Sequence, residues 1–335
     1  MQTDGITMRE EAMREANERL KTTLMRLAPE PGRRPTAVEG LTLTRWNAAN
    51  MVDTCFYAPS VGLIVQGRKE SVIGREIFRY GELDCLVNGV DMPSESRILG
   101  ASPEQPLLAV SLVINRALAT ELASVAASSF DAPGGRCLGV SVARVEPDVH
   151  DAFARLVDLL DRPEEAALMA PLLVREVLFR VLAGPQGGDL RRLHTVGSHG
   201  HQVAEAITWL RANYMRPLSV DALAARVAMA TSTFHRQFKK VTSLSPLQFQ
   251  KRLRLYEAQR LMLSRNLDAN HAGRAVGYES SSQFSREYSR LFGAPPRRDL
   301  VRMLGEPQTP PSSEPRKSPY PDDLRRRAKV RPTFF

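Results

Sequence analysis

The spacing of hydrophobic positions changes character along the chain. The first 40 residues are densely charged and end in the turn-prone Pro29-Glu30-Pro31-Gly32, which predicts a leader that is partly helical or disordered. From Leu41 to Val113 the texture becomes short β-type runs broken by turns. Ser60–Gln66 is a continuous apolar run, the pattern of a buried strand. Glu70–Ile73 and Glu76–Tyr80 flank Gly74-Arg75, which reads as a hairpin. Cys85–Val90, Arg97–Leu99 and Leu107–Ile114 supply further strands. Short strands at this spacing predict an antiparallel sandwich or barrel over 41–145. Beyond Asn115, a residue suited to an N-cap, the period lengthens to that of helices. Three are predicted: Asn115–Ala127, Pro147–Leu160 and Pro163–Leu182. In the last, Leu168, Leu172, Val177 and Val181 fall near one stripe. Residues 184–200 are rich in glycine and breakers and lack an apolar period, so they read as a flexible linker.

The C-terminal third holds an internal repeat, and the repeat carries most of the functional information. Its first copy, 219–240, and its second, 268–290, align with one extra residue in the second turn. Val227 then matches Val276, Phe234 matches Phe284, Arg236 matches Arg286, Phe238 matches Tyr288 and Lys240 matches Arg290. Each copy has the grammar of a helix-turn-helix. Ser219 or Asp268 caps a short helix with a small residue at the crossing point, Ala224 or Gly273. A tight turn follows at Ala228-Met229 or Gly277-Tyr278, and a second cap, Thr231 or Ser280, opens the next helix. Phe234 and Phe238 are four residues apart, as are Phe284 and Tyr288, so each pair packs inward.

The opposite faces of these second helices present Ser232, Thr233, His235, Arg236, Lys239 and Lys240 in one copy. In the other they present Ser281, Ser282, Gln283, Ser285, Arg286 and Arg290. Short polar and cationic groups near a helix N-terminus are what the major groove of double-stranded DNA accepts. Arg236 and Arg286 are the strongest candidates, because an arginine fork pairs with guanine O6 and N7. His235 either reads a base or is solvated. Lys239, Lys240 and Arg290 suit phosphates better than bases. Between the copies, Pro246 to Arg265 reads as one helix with Phe249, Leu253, Tyr256 and Leu263 on a buried stripe. Its twenty residues span roughly 30 Å at 1.5 Å each. That is close to the ~34 Å between successive major-groove faces, which fits two reading helices on adjacent turns of one duplex.

Charge sharpens this picture. The net charge is +9, but residues 201–300 alone carry 16 Lys/Arg against 7 Asp/Glu, and residues 301–335 carry 8 against 4. The body before them is mildly acidic, and a basic C-terminal third on such a body is either the footprint of a protein that holds a polyanion at one end or a solvated basic face. Residues 304–335, loaded with Pro, Ser and charge, read as a disordered basic tail. Within it, Arg325-Arg326-Arg327 reads as a solvated run. No apolar run of 18 residues exists, and the N-terminus lacks the apolar core of a secretory signal. The three cysteines, Cys55, Cys85 and Cys137, suit a reducing cytosol, either as small core residues or, for Cys55 first, as a sensing thiol. Metal-dependent barrel enzymes need two or three His with a carboxylate, and the first histidine from Leu41 onward is His150. No metal, cofactor or catalytic residue is expected, and the chain does not read as an enzyme.

The strings FHRQFKKVTSLSPLQFQKRLRLYEAQRLML and AVGYESSSQFSREYSRLFGAPP resemble the DNA-binding domain of AraC-family transcription regulators. The stretch from Cys55-Phe56-Tyr57-Ala58-Pro59-Ser60 through Val65-Gln66-Gly67 to Ala101-Ser102-Pro103-Glu104 resembles the sensor domain of one subgroup. The resemblance implies a multidomain α+β protein. A cupin-like β-barrel with flanking helices (41–190, helices 146–183) serves sensing and dimerisation, and an all-α domain with two helix-turn-helix units follows (201–303). It implies a homodimeric, cytoplasmic regulator, nucleoid-associated when bound to DNA. Such a regulator is more often an activator, contacts RNA polymerase, and answers to a small-molecule effector of unknown identity in the N-terminal domain. Two departures stand out. The first turn has Ala228 where the family usually has Gly. The second unit opens with Ala272-Gly273 where a large aliphatic residue and Ala are usual, which predicts a less well packed supporting helix there.

Overall fold

The computed structural model describes the backbone of residues 2–49, 52–74, 76–127 and 139–305. Cys137 and the tail with Arg325-Arg326-Arg327 lie outside the described residues. The leader contains a long helix, α1 (Gln2–Leu27). Its C-terminal half docks: Leu20, Leu24 and Ala28 are buried in the core. Buried Asn17 donates to the Val65 carbonyl at 2.9 Å, and its Oδ1 lies 3.2 Å from Nε2 of buried His150. Of the two expectations for the leader, partly helical or disordered, this half follows the helical one.

Ten strands follow among the described residues: β1 (Gly32–Pro35), β2 (Leu41–Trp46), β3 (Val52–Tyr57), β4 (Ser60–Gln66), β5 (Arg68–Ile73), β6 (Glu76–Gly81), β7 (Asp84–Asn88), β8 (Met92–Leu99), β9 (Leu107–Val113) and, after α2 (Arg116–Ala127), β10 (Val140–Arg144). They form two antiparallel sheets, ordered β1-β2-β9-β4-β7-β10 and β3-β8-β5-β6. Period-two alternation assigns the faces of the larger sheet. Val61, Leu63 and Val65 of β4, with Leu108, Val110 and Leu112 of β9, are buried in a core shared with the helices. The intervening Gly62, Ile64, Ala109 and Ser111 face the smaller sheet. Asn115 caps α2 as expected, accepting from Leu118 N–H at 3.1 Å.

The helical region comprises α3 (Pro147–Asp158), α4 (Pro163–Ala183), α5 (Gly187–His194), α6 (His199–Asn213), α7 (Val220–Arg226), α8 (Thr231–Thr242), α9 (Pro246–Arg265), α10 (Ala269–Ala275), α11 (Ser281–Phe292) and α12 (Pro296–Gly305). On α4, Val177 and Val181 are buried, whereas Leu168 and Leu172 are 78% and 59% exposed. They lie on opposite faces, not on the single stripe expected. The predicted flexible linker is also corrected. It holds α5, whose Leu190 and Leu193 are buried, and only a short turn separates α5 from α6. A Cβ at Gly187 would lie 1.9 Å from the Leu182 carbonyl oxygen, so this glycine serves close packing rather than freedom.

The two regions share one apolar core. Ile73, Tyr80 and Ile98 of the smaller sheet belong to the same buried cluster as Val203, Leu210, Phe238 and Phe249 of the helices. Phe56 on β3 meets Phe249 and Tyr256 of α9 edge to face, each at 5.7 Å between ring centroids. Such pairs add about 0.5–1.5 kcal/mol beyond burial. Arg211 of α6 lies 5.7 Å from the Phe56 ring and pairs with Asp91 at 3.1 Å. Two hydrogen bonds to main-chain carbonyls complete the junction: Gly139 N–H donates to that of Val241 at 3.0 Å, and the Arg252 guanidinium donates to that of Gly74 at 2.8 Å.

Candidate nucleic-acid interface

Seven helices, α6 to α12, carry the two repeat copies. In the first, Ser219 caps α7 by accepting from Ala222 N–H, as the sequence suggests. The turn passes through Ala228 at φ 53°, so it tolerates a Cβ in the left-handed region. The cap of α8 differs from expectation. Ala230 occupies that position, and Thr231 instead donates its hydroxyl to Asp221 of α7 at 2.7 Å. In the second copy Asp268 caps α10 and Ser280 caps α11. Gly277 takes the turn position at φ 89°.

Aromatic packing fixes how each second helix is rotated. Phe234 and Phe238 are fully buried, their rings 5.4 Å apart, and Phe238 meets Phe249 of α9 edge to face. In the second copy Tyr278, Phe284, Tyr288 and Phe292 form a continuous chain of edge-on and tilted ring contacts. The Tyr288 hydroxyl donates to buried Asp299 of α12, which also accepts from Gln259 of α9, each at 2.9 Å. The expected looseness of the second unit is not seen. Ala272 is fully buried, and a Cβ on Gly273 would lie 3.0 Å from the Phe284 ring, so the ring occupies the missing side chain's place.

With those faces inward, the candidate residues point outward. On α8, Ser232, His235, Arg236, Lys239 and Lys240 are exposed and Thr233 is half-buried. On α11, Ser281, Ser282, Gln283, Arg286 and Arg290 are exposed and Ser285 is half-buried. The two sets differ in how their groups are engaged. Among the described residues, no carboxylate pairs with His235, Arg236, Lys239 or Lys240. On α11, Glu287 accepts from Gln283 at 3.2 Å, from Lys251 of α9 at 2.8 Å and from the Tyr278 hydroxyl at 2.8 Å. These bonds hold its carboxyl below the usual range although burial opposes them.

Two structural residues escaped the sequence reading. Glu287 ties α11 to α9. Arg254 donates to the carbonyls of Tyr214, Met215 and Arg216 and to that of Gly277, at 2.7–3.0 Å, and so links the turn after α6 to the turn of the second unit. In the sequence, one arginine among several on a basic helix gives no sign of that role; only its place beside the buried Leu253 and Leu255 hints at it. The central helix is as predicted, Pro246–Arg265, capped by a reciprocal Ser245–Gln248 box, although Leu263 is only half-buried.

Of the cysteines, Cys85 is buried and free, and burial pushes its thiol up to about 12, which keeps it an inert core residue. Cys55 lies near the end of strand β3, ahead of the bend at Pro59.

Comparison with known proteins places this arrangement. Residues 37–189 match the family described as AraC-type transcriptional regulator N-terminus, and residues 223–300 match a helix-turn-helix domain. The HTH-type transcriptional activator RhaS of Escherichia fergusonii is 27% identical over 164 residues, covering 46% of this chain and 55% of that protein. The HTH-type transcriptional regulator GbdR of Pseudomonas aeruginosa is 29% identical over 115 residues, covering 34% and 31%. The chain thus spans about half the length, or less, of these curated relatives. Apo ToxT of Vibrio cholerae shares the fold over 80% of this chain and 99% of its own, with TM-score 0.53 and 8% identity. With a β-rich N-terminal domain matched to one half of the pattern and a double helix-turn-helix domain matched to the other, the chain belongs to the AraC family of transcriptional regulators.

Proposed function

We propose that the protein is a sequence-specific, DNA-binding transcription regulator, acting as an activator and controlled by a small-molecule effector in its N-terminal domain. The observation that carries this reading is the disposition of α8 and α11. Each buries an aromatic face and turns short polar and cationic side chains to solvent at its N-terminal end, as a groove-reading helix requires. The twelve outward residues named above make the DNA contacts, with Arg236 and Arg286 at base edges and Lys239, Lys240 and Arg290 at phosphates. The two helices occupy adjacent major-groove turns. The chain acts as a homodimer, catalyses no reaction, and works in the cytoplasm in contact with RNA polymerase.

The exposed Leu168 and Leu172 support the dimer. With Phe179 on the same helix and Val125 on α2, they leave an apolar face in solvent beside the sensor core. Genome-wide mapping of DNA bound by the full chain tests the function. Discrete sites, with an affinity that falls steeply as salt rises, are expected. Uniform occupancy or a flat salt response would overturn it.

A further inference from the structure

A run of aromatic contacts joins the two reading helices, and its middle ring belongs to the sensor. From α8 the run passes through Phe234 and Phe238 to Phe249 of α9. From α11 it passes through Phe284, Tyr288 and Phe292 to Tyr256 of α9. Phe56 of β3 meets both Phe249 and Tyr256, so every contact in the run lies at 4.4–5.7 Å between ring centroids. Half-buried itself, it packs against the buried cluster of the first unit and against that of the second.

Phe249 and Tyr256 stand two turns apart on α9, about 10 Å along its axis. Arg252 lies between them on the same face and donates to the Gly74 carbonyl of the sensor. The opposite face of α9 carries ties between the units themselves. There Lys251 pairs with Glu287 of α11, and Arg254 bonds both the turn after α6 and the turn of the second unit. Long helices are rarely straight and curve around whatever they pack against. With the sensor's ring on one face and these bonds on the other, α9 is braced on both sides over these two turns. The angle between α8 and α11 follows from that stretch, because the two reading helices pack on opposite ends of it.

The position of Phe56 depends in turn on how the sensor is seated. Its strand pairs with β8, where Phe56 lies in register with Pro93. Arg211 of α6 lies 5.7 Å from the ring and pairs with Asp91 beside β8 at 3.1 Å, which holds the ring against the helices.

We propose that Phe56 is a positioning residue for DNA reading: set by the sensor between the two units, it fixes the angle of α8 to α11 and thereby the spacing of the two major-groove segments that the chain accepts. This rests on the sequence-specific reading above and deepens it. Phe56 acts through α9. An added base pair moves the second segment by about 3.4 Å and turns it by about 35°, a change that a braced pair of helices cannot follow and a flexing pair can.

The first measurement needs no DNA. Nitroxide labels at Lys240→Cys and Arg290→Cys, matched exposed positions near the ends of α8 and α11, report the distance between the helices by double electron–electron resonance. Cys55→Ser and Cys137→Ser remove competing thiols, while Cys85 is buried. The full-length chain is expected to give a narrow distribution, Phe56→Ala a broader one and Phe56→Leu one in between, since leucine fills part of the seam without the edge-to-face contacts. Equal widths would overturn the proposal. If Phe56→Ala gives no cooperative melt, Phe56→Leu carries the comparison with the native ring.

The second measurement uses a duplex selected from random sequence by the full-length chain, with one base pair added or removed between its two protected segments. The native chain should lose about tenfold or more in affinity for each change, and Phe56→Ala about threefold or less. A general loss of affinity with an unchanged spacing penalty would make Phe56 a support of the fold alone and overturn the assignment. The two readings fail separately. If no sequence is selected, the sequence-specific function falls and the label distances still decide the role of Phe56. If a sequence is selected but widths and spacing penalties are equal, the function stands and the role of Phe56 falls.

Discussion

Arg236 and Arg286 occupy matched positions on α8 and α11, but their surroundings differ. Arg236 stands among His235, Lys239 and Lys240, and among the described residues no acid is engaged by any of them. Arg286 sits beside Glu287 and donates its Nε to its own helix's Ser282 carbonyl at 3.4 Å. Arg236→Ala is therefore expected to cost about 1–3 kcal/mol on a cognate site and to relax preference at one base position. Arg286→Ala should weaken binding to all sequences more evenly. Titration of both variants on cognate and scrambled duplexes checks this, and a larger loss of discrimination for Arg286→Ala would make α11 the main reader. The turns offer a stability test of the same pair of units. Ala228 sits at φ 53°, where a Cβ costs about 1–2 kcal/mol, so Ala228→Gly should raise stability by up to about 1 kcal/mol after glycine's greater unfolded-state entropy is counted. Gly277→Ala should do the opposite and by more, because its Cβ would lie 2.3 Å from the Met215 carbonyl oxygen. Thermal melts of the two variants decide it.

At the scale of elements, the unpartnered face of α4 makes a sharp prediction. Leu168→Glu with Leu172→Glu removes apolar surface that lies in solvent, so the fold should survive while a dimer formed through this face dissociates. Light scattering at micromolar concentration reads the mass; an unchanged dimer would place the contact elsewhere. These faces also show what the sequence could and could not convey. β4 and α9 are legible to the residue, since one is a bounded apolar run and the other opens at Pro246 and carries a helical apolar stripe. Two sources of error had physical causes. In 184–200 glycines were read as freedom, whereas Gly187 is there because Leu182 leaves no room for a Cβ. The stripe on α4 was read as single because spacing alone does not say which of two apolar faces finds a partner. In the reading helices every candidate residue was placed outward by the aromatic pairs, a period-four signal. Glu287 and Arg254 escape the sequence because their partners lie in other turns and on another helix, about 9 to 40 residues away.

Across the whole molecule, the junction of sensor and DNA-binding region carries a titrating group. His194 ends α5 and is 2% exposed, close to Arg116 and His201, and among the described residues neither ring nitrogen has a hydrogen-bond partner. Burial first, then the neighbouring Arg116 and His201, hold its imidazole down to about 4. Above pH 6.5 folded and unfolded chains both keep it neutral. Between 6.5 and about 4 the unfolded chain takes up a proton that the folded chain refuses, so stability falls with falling pH, by about 3 kcal/mol at the lower end. His194→Gln should flatten that part of a denaturant-derived stability profile; an unchanged slope would show that His150, also lowered by burial, carries the acid sensitivity. The bond from Gly139 N–H to the Val241 carbonyl has a different consequence. It joins the barrel to the C-terminal end of α8 through main chain alone, so truncating a side chain does not remove it. The Gly139 amide can exchange its hydrogen with solvent only when the barrel and α8 part. Its exchange rate, read by mass spectrometry or NMR with and without operator DNA, is therefore a built-in clock for domain opening.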